Sequence, residues 1–235
     1  DVRLVGSEMC IRDSIETPSE KASGVLGGSA THSGLASSFH LRPPPGHSPR
    51  IGVVSAVGED FSTYHQMVLE DAGMNLAGVA LRKGETSTRS VRFTETMSRS
   101  EITNTNMNVL EEFIPVLPKA WAAPDVLLCA SSMPRMQIEV LKQCPDAKIN
   151  ALDTSKIWIE EEFEDLSRAM RMVDVVVLEE EDAKAISGEK VLTQSISSII
   201  SGEALHGGTA AGPGPRSIII TVSYTHLRAH ETDIN

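Results

Sequence analysis

Short apolar runs alternate with longer amphipathic stretches from Asp125 onward. The runs are "DVLLCA" (125–130), "AKINALD" (147–153), "VDVVVL" (173–178) and "SIIITV" (217–222), and helical spacing marks "PRMQIEVLKQC", "EEEFEDLSRAMRM" and "EEDAKAISGE" between them. Strand-length runs separated by helices of this kind predict βαβ units around a parallel sheet. Pro134 stands where a first-turn proline is tolerated, and Gly188 where a helix stops. Upstream, "RIGVVSAVGED" predicts a strand over 51–57 that leads into a helix over 62–72 ending at Gly73. Between these halves, "TSTRSVRFTETM" (86–97) alternates Thr, Val and Phe with polar residues, as half-buried antiparallel strands of a small accessory sheet would. A lid is one use for such a sheet. "LRPPPGHSPR" (41–50) and "GEALHGGTAAGPGPR" (202–216) read as loops unable to pack a core.

Composition narrows the class. The 235 residues suit one large α/β domain, or a domain with a small lid. A net charge of -11 with 40% hydrophobic residues describes an acidic globular chain and argues against nucleic acid or an anionic membrane as partner. No apolar run reaches the roughly 18–20 residues that span a bilayer, and the first ten residues lack the order of a secretory signal, so a cytoplasmic protein is expected. Cys10, Cys129 and Cys144 form no C-x-x-C pair and read as buried or incidental thiols.

The most informative short motif is "GVLGGSATHSGLASSF" (24–39), where Gly27 and Gly28 precede a helix start capped near Ser29 or Thr31. Tandem glycines allow close backbone approach to a ligand, or a hinge. A dinucleotide-binding turn would follow a buried strand, whereas the preceding "PSEKASG" is polar.

The order of pieces resembles the ribokinase-like PfkB family of carbohydrate kinases: the GG pair before a small-residue helix, "VGEDF" after a strand, the alternating strands, "ALDTSKIWIE" and "VDVVVLEEEDA". The resemblance covers about residues 15–221. It implies an α/β fold with a mostly parallel sheet, helices on its flanks and a small β lid near 86–97. It further implies Mg²⁺-dependent transfer of the γ-phosphoryl group of ATP to a hydroxymethyl of a sugar or nucleoside, with two copies pairing through the lid. Gly27, Gly28, Ser29 and His32 fall at the substrate site, His32 where many relatives carry asparagine. Asp13 falls where relatives place a substrate-binding aspartate.

Asp153 ends its strand where ligand crevices of parallel sheets form, and Lys156 follows within reach of a phosphate. A helix N-cap is the other reading of Asp153. Where relatives carry N-x-x-E, this chain has Glu179 and Asp182. These carboxylates either recruit Mg²⁺ through water or form a solvated acidic helix start. In "VGEDF", Asp60 is expected to shape a loop, with Ser62 or Thr63 capping the helix after it.

The resemblance places the catalytic base in a G-x-G-D segment, and no G-x-G-D occurs in residues 1–235. No catalytic residue is therefore assigned, and the chain reads as an inactive fragment. "VGSEMCIRDS" and "SYTHLRAHETDIN" resemble translated sequencing-adapter text. Residues 1–14 and 222–235 are accordingly expected to be artefactual, with the family's first strand missing. His226 and His230 lack a third ligand, and no metal site is predicted from them. Two rival readings stand beside the kinase: a non-catalytic ligand-binding or regulatory relative, and an unrelated doubly wound α/β binding domain.

Overall fold

The computed structural model describes residues 2–5, 11–44, 46–94 and 100–221. In chain order the strands are β1 (Val2–Val5), β2 (Ile11–Glu16), β3 (Lys21–Gly27), β4 (Ile51–Gly58), β5 (Met74–Arg82), β6 (Thr88–Phe93), β7 (Ser100–Asn106), β8 (Val126–Cys129), β9 (Ile149–Asp153), β10 (Val175–Glu179) and β11 (Ser217–Thr221). The helices are α1 (Ser29–Leu41), α2 (Thr63–Asp71), α3 (Pro134–Gln143), α4 (Lys156–Glu161), α5 (Phe163–Met170), α6 (Glu180–Ser187) and α7 (Leu192–Ser201).

Seven strands make one sheet in the order β11-β10-β9-β8-β1-β4-β5, and every neighbouring pair is parallel. Parallel sheets need cover on both faces, which explains why all eight residues of β4 are buried. Helix α1 packs on β1, β4 and β5, α3 on β8, α6 on β10 and α7 on β11. The main core runs through Leu127, Leu152, Leu166, Met170, Val176, Leu178 and Ile199, all at most 1% exposed. Each such side chain stabilises the fold by about 1.5–3 kcal/mol before entropy is counted.

The expected strands β4, β8, β9, β10 and β11 and helices α2, α3 and α6 are present, with Pro134 in the first turn of α3 and Gly188 capping α6. Other expectations need correction. The first strand is not missing: Val2–Val5 joins the middle of the sheet, between β4 and β8. The expected boundary between residues 14 and 15 falls inside β2. "EEEFEDLSRAMRM" is not one helix, because Glu162 (φ -132, ψ 39) leaves helical geometry and separates α4 from α5. Strand β5 and helix α7 were not expected at all. Residues 222–235, with His226 and His230, and Cys10 lie outside the described residues.

The accessory sheet is larger than 86–97. It has four strands in the order β3-β2-β6-β7, with β2 parallel to β6 and the outer pairs antiparallel. Its root is tied to the end of β4 through Thr86, which is fully buried. Asp60 Oδ1 accepts from the Thr86 N–H and hydroxyl, both at 2.7 Å, and Thr86 Oγ1 accepts from the Gly58 N–H at 3.0 Å. Asn108, just past β7, donates Nδ2–H to the Thr86 carbonyl at 3.0 Å. The passages into β6 and out of β7 thus meet at one residue. Ser62 Oγ accepts from the Tyr64 N–H and caps α2, as expected.

The 202–216 segment does contribute to the core, through Leu205 at 2% exposure. Arg171 organises it, donating from Nε to the Ala211 carbonyl and from Nη2 to those of Gly202 and Gly208. One fixed guanidinium fork thereby satisfies three carbonyls of a segment with no ladder of its own.

Candidate ligand crevice at the carboxyl ends of the strands

Connections leave β1 toward the lid, α1 and β4 on one side, while β8 lies on its other side and leads through α3 to β9. In open parallel sheets, such a switch of direction leaves a crevice outside the carboxyl ends of the strands. Gly28 and Ser29 open α1 on one wall, and Ser131 follows β8 on the other. They meet: Ser29 Oγ lies 3.5 Å from the Ser131 carbonyl, and Ser131 Oγ bonds Ser155 Oγ at 3.1 Å.

The cap of α1 is Gly28 rather than Ser29 or Thr31. Its φ of 100 favours glycine, and no side chain caps the helix. Thr31 is instead buried on the helix's inner face with Ala30, Gly34 and Ser38. Gly27 matters for space. A Cβ there would stand 1.9 Å from Asp13 Oδ2, so the Asp13 carboxylate occupies the room the missing side chain leaves.

Asp13 sits on β2 in register with Arg89 on β6. Burial raises its carboxyl above the ordinary value, with Arg89 and then His32 acting in the opposite direction. Asp13 Oδ1 is buried without a hydrogen-bond partner among the described residues. The structure therefore brings Asp13, Gly27, Gly28 and Ser29 to one place, with His32 exposed on the first turn of α1 and electrostatically coupled to Asp13. A carboxylate acceptor beside the positive end of a helix suits a hydroxyl, which both donates and accepts.

The second group lies at the ends of β9 and β10. Asp153 does not cap α4: the N-cap is Ser155, and the Asp153 carboxylate accepts from the backbone N–H groups of Ser131 and Thr154. Burial pushes Asp153 up to about 6 against those two bonds, and the charges of Asp182 and Glu179 push the same way. Asp182, buried in the first turn of α6, is also pushed up to about 6, by burial and Glu179, while Lys156 opposes the shift. Lys156 itself is exposed and pairs with Glu160 at 3.5 Å. Glu179 is an exposed N-cap whose side chain makes no capping bond. Among the described residues, no three His, Cys, Asp or Glu side chains are placed to hold a metal together. Asp153 and Asp182 fit Mg²⁺ held through water, since a cation favours the ionised form that burial opposes.

These shifts have a definite sign for stability. The folded state binds the Asp182 proton more tightly than the unfolded chain does, so ionisation between 3.8 and about 6 withdraws stability, and the loss is complete above about 6. Asp182→Asn is therefore expected to raise the melting temperature well above pH 6, with the gain vanishing as the pH approaches 3.8. Thermal melts across that range check this, and a gain independent of pH contradicts it.

Ser131, Ser155 and Gln137 were not singled out from sequence. Ser131 had a usable signal, since it directly follows an apolar strand run. Gln137 had another, as an amide within the apolar stripe of α3 formed by Pro134, Ile138 and Leu141. A groove of about 450 Å³ lined by Glu111, Phe113, Arg135, Met136, Ile138 and Lys142, among others, contains none of the residues expected at the ligand site. Cys129 and Cys144 are fully buried, as incidental thiols would be, and burial pushes the Cys129 thiol well up. No described helix is long and apolar enough to cross a membrane.

No family model matches the sequence, and no curated protein matches it. Solved structures do match. The adenosine kinase of Sinorhizobium meliloti superposes with a TM-score of 0.69 at 15% identity, over 95% of this chain and 74% of that one. The ribokinase of Cryptococcus neoformans var. grubii serotype A, solved in complex with ADP, gives 0.66 at 14%, over 94% and 72%. The fructokinase of Halothermothrix orenii gives 0.65 at 16%, over 84% and 74%. The chain spans 64% of the length of one matching structure and 74% of others. At these identities the likeness is one of fold, and the fold is that of the ribokinase family of kinases, as the order of motifs implied.

Proposed function

We propose, from this shared fold, that the chain carries the acceptor site and lid of a kinase that phosphorylates a hydroxymethyl of a sugar or nucleoside. The observation that carries the reading is the Asp13 carboxylate lodged against Gly27 at the start of α1, with one buried oxygen free for a ligand. Asp13 would accept a hydrogen bond from a substrate hydroxyl, and the N–H groups of the α1 terminus would donate to another. The accessory sheet, rooted at Thr86, would cover the bound substrate and exclude water that competes for the phosphoryl group. Asp153, Glu179 and Asp182 would steady Mg²⁺ through its water shell, with Lys156 near the donor phosphates. ATP would supply the transferred group.

The residue that would take the proton from the acceptor belongs, by the resemblance, to a G-x-G-D segment that residues 1–235 do not contain. The 235-residue chain by itself is thus expected to bind without turnover. A second reading, a ligand-binding or regulatory protein, is favoured by one observation: Glu179 and Asp182 replace the amide and carboxylate of N-x-x-E.

Calorimetry with ribose, fructose and adenosine, each with and without MgATP, tests both. One acceptor is expected to bind, and Asp13→Asn is expected to weaken it about tenfold or more, as for loss of a charged hydrogen bond. If none of the three binds, the acceptor reading fails. Acceptor binding with no MgATP binding would favour the regulatory reading.

A further inference from the structure

Residues 84–86 lie along the end of β4 and are held there at every step. The Gly84 carbonyl accepts from the Glu59 N–H at 3.0 Å, the Glu85 carbonyl from the Val109 N–H at 3.3 Å, and the Thr86 carbonyl from Asn108 Nδ2 at 3.0 Å. The Thr86 hydroxyl, fully buried, donates to Asp60 Oδ1 and accepts from the Gly58 N–H. Hydrogen bonds to an ionised group are about twice as strong as neutral ones, and Thr86 makes two of them, from its N–H and its hydroxyl, at 2.7 Å.

Strand β6 begins two residues later. Its residues Thr88–Arg92 pair in parallel with Arg12–Glu16 of β2, and this ladder has no register shift, whereas the β2–β3 and β6–β7 ladders beside it each carry one. The unbroken ladder sets Asp13 opposite Arg89, three residues from Thr86. The closeness of Asp13 to Gly27 is settled within the β2–β3 hairpin, where Gly27 pairs with Ile11. The angle of that hairpin to α1 is not. The hairpin meets α1 at Gly28, whose φ of 100 belongs to a residue with no side chain to hold the turn. The ladder to β6 supplies the support that Gly28 does not, and β6 takes its place from Thr86. We propose that Thr86 is a positioning residue for the acceptor site: its hydroxyl fixes β6 on β4, and the β2–β6 ladder thereby fixes where Asp13 points. The consequence for affinity rests on Asp13 being the acceptor-binding residue, whereas the consequence for β2 stands apart from that reading.

The test compares Thr86→Val, which keeps the shape and loses the hydroxyl, with Thr86→Ser, which keeps the hydroxyl. Amide exchange in β2 and β6 of Thr86→Val is expected to quicken about tenfold, as local opening does, while β9 and β10 exchange as before. Calorimetric affinity for whichever of ribose, fructose and adenosine the chain binds is expected to fall about tenfold or more. Thr86→Ser should restore both. Quickening shared by β9 and β10 marks a merely structural loss and overturns the proposal. So does a Thr86→Ser that behaves like Thr86→Val, or an affinity that stays the same when β2 has loosened. Should Thr86→Val not fold, Asp60→Asn decides by the same comparisons, because it removes the charge on which the two 2.7 Å bonds depend. If the unsubstituted chain binds none of the three acceptors, the acceptor reading falls, and exchange in β2 alone supports or overturns the placement of that strand by Thr86.

Discussion

Gly58→Ala is expected to destabilise the fold by about 3 kcal/mol or more, beyond the usual range for a surface change. Gly58 ends β4, and a Cβ there would stand 2.3 Å from the Gly84 carbonyl oxygen and 2.4 Å from both the Glu85 carbonyl carbon and the Thr86 nitrogen. All three atoms are backbone, so no rotamer change relieves the overlap. The displaced segment is the one that Thr86 ties to Asp60, Gly58 and Asn108. Moving it by the ångström or so required would break short hydrogen bonds, two of them to the Asp60 carboxylate, and a bond to a charged group is worth about 1.5–3 kcal/mol. Urea denaturation measures the effect. A midpoint equal to that of the unsubstituted chain would show that the lid root does not lie against β4.

Gly27→Ala should behave in the opposite way. Its backbone is outside the left-handed region, so alanine brings no strain of its own. Its Cβ would collide with Asp13 Oδ2, the end of a side chain that can turn away. Stability is expected to change little, whereas acceptor affinity should fall about a hundredfold, near 2.7 kcal/mol, because the carboxylate loses its position. The mechanism is checked by a double-mutant cycle on calorimetric affinities. If Gly27→Ala acts by displacing the carboxylate, adding it to Asp13→Ala weakens binding no further. Losses that add would mean that Gly27 itself approaches the ligand.

The two glycines also mark how far the sequence could be read. "RIGVVSAVGED" announced β4 because a strand buried on both faces is apolar throughout, and Pro134 and Gly188 announced the ends of α3 and α6 through backbone rules that act locally. The GG pair before α1 was legible for the same reason. β1 was not: "VRLV" is four residues in a mixed segment, and its place in the sheet comes from partners in β4 and β8 that local pattern does not contain. The α4–α5 break was hidden because Glu162 suits a helix, and only packing takes it out of one. The crevice contacts are more distant still. Ser29 and Ser131 are separated by 102 residues, and nothing near either predicts the other. Gln137 shows the intermediate case, a polar residue visibly out of pattern whose two partners, the Ala130 and Asp153 carbonyls, only the folded sheet supplies.

The place of β1 bears on how the molecule assembles. Strands β4 and β5 can pair across one helix, and β8 through β11 can be laid down in sequence order, each step closing a short loop. The two half-sheets share no hydrogen-bonded strand pair except through Val2–Val5, which pairs with Ile51–Val54 on one side and with residues 126–129 on the other. Closing that second contact means bringing together segments more than a hundred residues apart, as Val2 opposite Val126 requires. Late, non-local pairing of this kind slows folding and leaves two unsatisfied sheet edges exposed in the meantime. The interval before β1 docks is therefore when the chain is most open to aggregation, and four residues govern its length.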